Sequence, residues 1–178
     1  MIHKVLITDK MLFDAEWVAE QRRAKQGEST NPISSDRDVI GALAEMAVEQ
    51  EVKDWHFSYN ATWKDVVEGG DSFDLKVYTD YEPLIFDVKG SSFTYDWDNR
   101  DENEVHIWDS NYHSLEKVEH LIFCRVWKKS KVIYILGTMS VNKFRLNEYL
   151  VEDQWGKRHV CKTKHLQDLR YFLSNRAS

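Results

Sequence analysis

Leu84-Ile-Phe-Asp-Val-Lys-Gly90 is the stretch on which the fold turns. Along an extended chain, alternation puts Leu84, Phe86 and Val88 on one side and Asp87 with Lys89 on the other. A carboxylate and an ammonium on an otherwise apolar strand are costly unless each finds a partner. This reads as a half-buried strand that carries chemistry. Two further acid-any-Lys triplets occur, Glu51-Val-Lys53 and Asp74-Leu-Lys76. Glu51 and Lys53 fall at a helix end, where residues two apart do not share a face.

Outward from this strand, Asp74-Leu-Lys-Val-Tyr-Thr79 alternates polar with apolar, and Asp80-Tyr-Glu-Pro83 turns the chain. The two strands are expected to form a hairpin, with Asp74 at an end of one and Asp87 near an end of the other. Carboxylates brought together repel unless a divalent cation neutralises them, and oxygen ligands of this kind suit Mg²⁺ or Mn²⁺. Asp71, directly after Gly69-Gly70, competes with Asp74 for the first position. Asp74 is preferred because Leu75-Lys-Val77 gives it strand phase, whereas Asp71 belongs to the turn.

Before the hairpin, residues 36 to 53 have helical spacing that buries Ile40, Leu43, Ala44 and Ala47. Glu45 falls about 140° from the centre of that apolar face, and Glu49 farther round is expected to be solvated. A first helix is expected over residues 10 to 25, and short strands over 55–59 and 62–67. Residues 96 to 104 form an acidic loop. Beyond it, strands at 120–126 and 131–137 are joined by the basic turn Trp127-Lys-Lys-Ser130, and helical patterns close the chain at 142–150 and 163–174. The expected fold is α/β with a mixed central sheet. It is expected to be one domain over residues 1–178, with a core at about 36–137 and a basic helical part at about 140–178.

Glu45 in a helix, then Gly-Gly-Asp-Ser-Phe-Asp74-Leu, then Ile-Phe-Asp87-Val-Lys89-Gly resembles the PD-(D/E)xK nuclease superfamily. Its restriction-endonuclease-like core runs α-β-β-β-α-β with flanking helices, and the resemblance covers roughly residues 36 to 137. Phe73 stands where the family name has Pro. The resemblance implies Asp74 and Asp87 as metal ligands, with Glu45 completing the site and Val88 contributing its backbone carbonyl. It also implies Lys89 as the catalytic lysine that assists the attacking water. The implied activity is Mg²⁺-dependent hydrolysis of DNA phosphodiester bonds.

Composition narrows the alternatives. The chain has 178 residues, 42% hydrophobic and 13% aromatic, which excludes general disorder. No apolar run approaches the ~20 residues of a membrane helix and the N-terminus lacks a signal-peptide core, so an intracellular, cytoplasmic protein is expected. Cys124 and Cys161 form no C-x-x-C pair and read as reduced thiols. The segment DWDNRDENEVHI departs from a calcium loop, with Arg100 and Asp101 at positions five and six and Ile107 at position twelve. The net charge of −6 hides an asymmetry: 12 Lys/Arg against 26 Asp/Glu up to residue 120, then 12 against 4. Arg125, Lys128, Lys129 and Lys131 gather around Trp127, and Lys157, Arg158, Lys162 and Lys164 around Trp155. Basic groups interleaved with aromatics suit phosphate contact and base stacking, so Arg125, Lys128, Lys129, Lys131, Lys157 and Arg158 are the expected DNA contacts.

A small nuclease of this kind would suit a phage, a mobile element or a repair system. Cutting both strands of a duplex calls for two sites, which a homodimer would supply. Two other readings stand beside the nuclease: a catalytically inactive nuclease-fold module that binds DNA or protein, and an acidic interaction protein whose first half mimics DNA.

Overall fold

The computed structural model describes residues 2–26, 32–63, 73–92, 103–154 and 156–176. In chain order the first elements are β1 (His3–Leu6), α1 (Asp9–Gln26), α2 (Pro32–Asp54), β2 (Tyr59–Ala61), β3 (Leu75–Val77) and β4 (Leu84–Ser92). There follow β5 (Glu104–Trp108), α3 (Asp109–Tyr112), a 3₁₀ turn (His113–Lys117), β6 (His120–Trp127) and β7 (Val132–Ser140). The chain closes with α4 (Val141–Asn147), β8 (Tyr149–Asp153), β9 (Gly156–Lys162), a 3₁₀ turn (Thr163–His165) and α5 (Leu169–Ser174).

Six strands form a mixed sheet in the order β1-β7-β6-β4-β3-β2. β4 pairs parallel with β6, and every other neighbour in that sheet is antiparallel. β3 and β4 make the expected hairpin, with Leu75 opposite Phe86 and Val77 opposite Leu84. The parallel pair needs a crossover rather than a tight turn. Its described part carries β5, α3 and the 3₁₀ turn, so α2-β2-β3-β4-α3-β6 follows the α-β-β-β-α-β order. This is the mixed α/β fold that the alternation around Asp87 implies.

β6 reads as an almost unbroken apolar run because it is covered on both faces. Ile122, Cys124 and Val126 join the core beneath α1 and α2, with Phe86, Val88, Leu43 and Ala47. Leu121 and Phe123 face the opposite way, into a second core with Met139, Phe144, Ile107 and Cys161. That second core lies under a three-stranded sheet in the order β5-β9-β8.

Three elements differ from the sequence reading. β1 pairs along β7 at one sheet edge, although four residues are too few to show a pattern. The strand expected at 55–59 starts only at Tyr59, because α2 continues to Asp54 and His56 turns the chain with φ 64°. Residues 149–162 are a hairpin rather than the middle of a helical part. It is held by cross-strand ion pairs, Lys157 to Glu152 at 3.7 Å and Arg158 to Asp153 at 2.9 Å, so it lacks the apolar alternation that marks a strand. The Gly69-Gly70 turn, Asp71 and most of the acidic loop lie outside the described residues. Among the described residues, no helix is long and apolar enough to cross a membrane.

Gly90 sets the distance between α2 and β4. A Cβ there would stand 2.9 Å from the Ile40 carbonyl oxygen and 3.0 Å from the Ala44 Cβ. Both are fixed parts of α2, so the helix would have to move. Gly90→Ala is expected to cost about 1–3 kcal/mol, the usual scale of overpacking. Because Glu45 follows Ala44, the same shift should displace its carboxylate. Urea unfolding checks the first expectation, and an unchanged midpoint would show that α2 has room to spare.

Candidate active site

Asp74, Asp87 and Lys89 meet at the β3–β4 hairpin, on the face of β4 opposite the Phe86 and Val88 side that packs under α2, and the charge of Glu45 reaches Asp74 from α2. Asp74 immediately precedes β3, and its backbone is tied on both sides. Its amide donates to the Phe86 carbonyl at 3.0 Å, and its carbonyl accepts from the Thr62 amide at 3.1 Å. Its side chain turns towards β4, where Oδ2 accepts the Val88 amide at 2.7 Å. Val88, expected to offer its carbonyl, thus also offers its N–H to the first aspartate.

Asp87 and Lys89 project from the same face of β4, as the alternation requires. Lys89 Nζ lies 2.6 Å from Asp87 Oδ2, and both side chains are largely covered. The Asp87 carboxyl also hydrogen-bonds to Asp74. Two carboxylates share a hydrogen bond only when a proton lies between them, and the Asp74 environment supplies the reason. Burial pushes its pKa well above the ordinary carboxylate range, the charges of Glu45 and Asp87 and the bond to Asp87 push it further, and only the Val88 amide opposes them.

Glu45 is only 7% exposed, more deeply placed than a rim residue. It is held by Arg22 of α1, which donates from Nη1 to Oε1 at 2.9 Å and from Nη2 to Oε2 at 2.7 Å. Such a two-point contact fixes orientation as well as charge. Burial works against the guanidinium charge, but the bond and charge of Glu45, with Asp74 and Asp38 nearby, hold the Arg22 pKa above its ordinary value. Sequence reading had no means to find Arg22, since an arginine near a helix end usually faces water. Glu49, expected in solvent, accepts from the Tyr59 hydroxyl at 3.2 Å and the Trp63 indole at 2.5 Å.

Asp87 is thus paired with Lys89 and Glu45 with Arg22, while Asp74 is held by the Val88 amide. Among the described residues, no three His, Cys, Asp or Glu side chains are placed to hold an ion as they stand. The donor set nevertheless fits a hard divalent cation: it is all oxygen, it is buried, and it carries one negative charge too many once Asp74 ionises.

The expected DNA contacts are more dispersed. Lys128 pairs with Asp36 at 2.8 Å and Lys131 with Asp9 at 2.6 Å, tying the β6–β7 turn to the starts of both long helices. Lys157 and Arg158 serve the β8–β9 hairpin. Arg125 lies in β6 rather than at the turn, 8% exposed, donating from Nη2 to the Glu104 carbonyl at 2.7 Å. Lys129 is exposed.

No protein-family model matches the chain. No curated protein matches it. Among solved structures it is similar to that of Hjc from Archaeoglobus fulgidus, a Holliday junction resolvase from an archaeal hyperthermophile. The identity is 13%, covering 71% of this chain and 86% of that one, at a TM-score of 0.38. A likeness at this level says nothing about chemistry, and the site is read on its own geometry.

Proposed function

We propose that the protein is a metal-dependent nuclease that hydrolyses DNA phosphodiester bonds. The observation that carries this reading is that Asp74 and Asp87 lie side by side at the β3–β4 hairpin, with Lys89 2.6 Å from Asp87 and the Asp74 pKa pushed up by burial and by the charges of Glu45 and Asp87. Asp74 and Asp87 would hold Mg²⁺ or Mn²⁺, with Glu45 and the Val88 carbonyl completing the set. When bound, the ion would supply a lowered pKa for its water and neutralise charge on a phosphate oxygen.

The chain's own groups have separate tasks. Arg22 keeps Glu45 aimed into the site and away from solvent. Asp74, whose pKa burial and neighbouring charge push up, would ionise to hold a cation. Lys89, next to Asp87, orients the attacking water and offsets charge developing on the phosphate. On the basic second half, Lys128, Lys129, Lys131, Lys157 and Arg158 would face the DNA, with phosphates taking over from the carboxylates that several of them now touch. Arg125 would act from beneath, by its charge.

Calorimetry with Mn²⁺ and Mg²⁺-dependent nicking of plasmid test the reading together. The wild type should bind Mn²⁺ with proton release, seen as a heat that varies with the buffer's ionisation enthalpy, and should nick. Asp87→Asn should lose both. A second reading has its own support: Arg22 pairs with Glu45 and Lys89 with Asp87, so two of the three carboxylates already have a cationic partner. If neither protein binds Mn²⁺ nor cuts any DNA, the chain is a binding module on a nuclease-like fold.

A further inference from the structure

A cavity of about 390 Å³ opens away from the carboxylates, lined by Ile2, Lys4, Trp127 and Tyr134. Its position follows from strand register. Ser91 of β4 lies opposite Arg125 of β6, Arg125 opposite Tyr134 of β7, and Tyr134 opposite Lys4 of β1. Residues opposite one another share a face, and residues two apart on a strand do too. Lys89, Ser91, Arg125, Trp127, Tyr134 and Lys4 therefore lie on one side of the sheet, the middle of which is covered by the second core through Leu121 and Phe123.

From β4 to β1 is three strand intervals, roughly 14 Å at the usual spacing. Between the two places Arg125 is buried under the Glu104 carbonyl. The cavity is thus a separate station on the same face and not an extension of the metal site.

Its lining combines two aromatic rings, an aliphatic residue and one exposed ammonium. Trp127 and Tyr134 are half-buried, so their positions are set by the sheet and little ordering is needed to bind against them. Lys4 makes no ion pair among the described residues, in contrast to Lys128 and Lys131. An aromatic platform beside a cation is the arrangement that takes an unpaired base and its phosphate, without regard to sequence. A paired base within a duplex cannot present its ring face to such a platform.

We infer that this cavity seats an unpaired base of single-stranded DNA, with Lys4 on the adjoining phosphate, so that the substrate carries a single-stranded segment beside the point of cleavage. The inference rests on DNA being the partner, as in the proposed function. It does not need catalysis, so it is read in EDTA.

Anisotropy of a short fluorescein-labelled oligothymidylate measures binding to the wild type, Trp127→Ala, Tyr134→Ala and Lys4→Gln. Each aromatic truncation should weaken binding by about tenfold. Lys4→Gln, on an exposed side chain that cannot threaten the fold, should lower the log–log salt slope by about 0.7. Binding of a blunt duplex should not change in any of them. If oligothymidylate binds equally to all four proteins, or not at all to the wild type, the inference is overturned, and the cavity belongs to another occupant such as a protein segment. Plasmid nicking by the same preparations, with Mg²⁺ restored, reports separately on the nuclease reading.

Discussion

Lys89→Ala should cut DNA at least ~10²-fold more slowly than wild type while binding Mn²⁺ as well or better. The rate loss is the lower end of what a positioned proton-handling or charge-stabilising group supplies. The retained metal affinity follows from the contact of Lys89 Nζ with Asp87 Oδ2 at 2.6 Å. Removing the ammonium takes away a positive charge that competes with a cation for that oxygen. The fold should tolerate the change, because it removes a side chain from the half-buried end of the strand and leaves the Phe86 and Val88 packing intact. Three measurements separate the possibilities: single-turnover cleavage, Mn²⁺ calorimetry and thermal melting. Cleavage at the wild-type rate would remove Lys89 from the chemistry. A loss of cleavage together with a collapsed melting temperature would mean that the lysine is structural.

Asp74→Asn should abolish metal binding and cleavage, yet make the metal-free protein more stable at neutral pH. The physical reason lies in protonation. An unfolded Asp74 ionises near the ordinary aspartate value of 3.8, whereas in the folded protein its pKa is raised by burial and by the neighbouring carboxylates. Between those two values the native state binds the extra proton, so stability falls as pH rises through this window and is flat above it. Asparagine has no proton to lose. Its amide can donate to Asp87 while its oxygen accepts from the Val88 amide, reproducing both bonds of the protonated acid. The gain should be on the order of 1 kcal/mol above the folded pKa and should shrink towards pH 4. Mn²⁺ should stabilise the wild type and leave the variant unchanged, in line with RT ln(1 + [L]/Kd). Urea unfolding in EDTA at acidic and neutral pH, then with Mn²⁺, gives the comparison. A stability difference independent of pH would show that Asp74 is ionised throughout and that its charge is balanced in some other way.

Together the two variants describe a site that costs the fold stability. Burying Asp74 beside Asp87 opposes its charge, an arrangement that a protein retains when it has a use.

Much of this was legible in local pattern. A period of two along Leu84 to Lys89 is enough to put Asp87 and Lys89 on one side and Phe86 and Val88 on the other, since the alternation of a strand does not depend on what surrounds it. The same holds for the β3–β4 hairpin, where turn residues at Asp80 to Pro83 leave few alternatives, and for α2, whose apolar spacing is unambiguous. The β8–β9 hairpin was hidden because its pairing relies on Glu152–Lys157 and Asp153–Arg158 contacts that only a folded-back chain creates.

What these residues decide by themselves is the fold class and the strand partners Asp87 and Lys89, because short-range sterics and alternation act within a few positions. What only the tertiary structure decides is charge. Glu45 becomes a buried ligand candidate because Arg22, from another helix, reaches it; Lys128 and Lys131 become helix ties because Asp36 and Asp9 lie beside them; and the Asp74 pKa is raised because it is buried near the charges of Glu45 and Asp87. Electrostatic energy depends on separation in space and on exclusion of water, and neither can be read from separation along the chain.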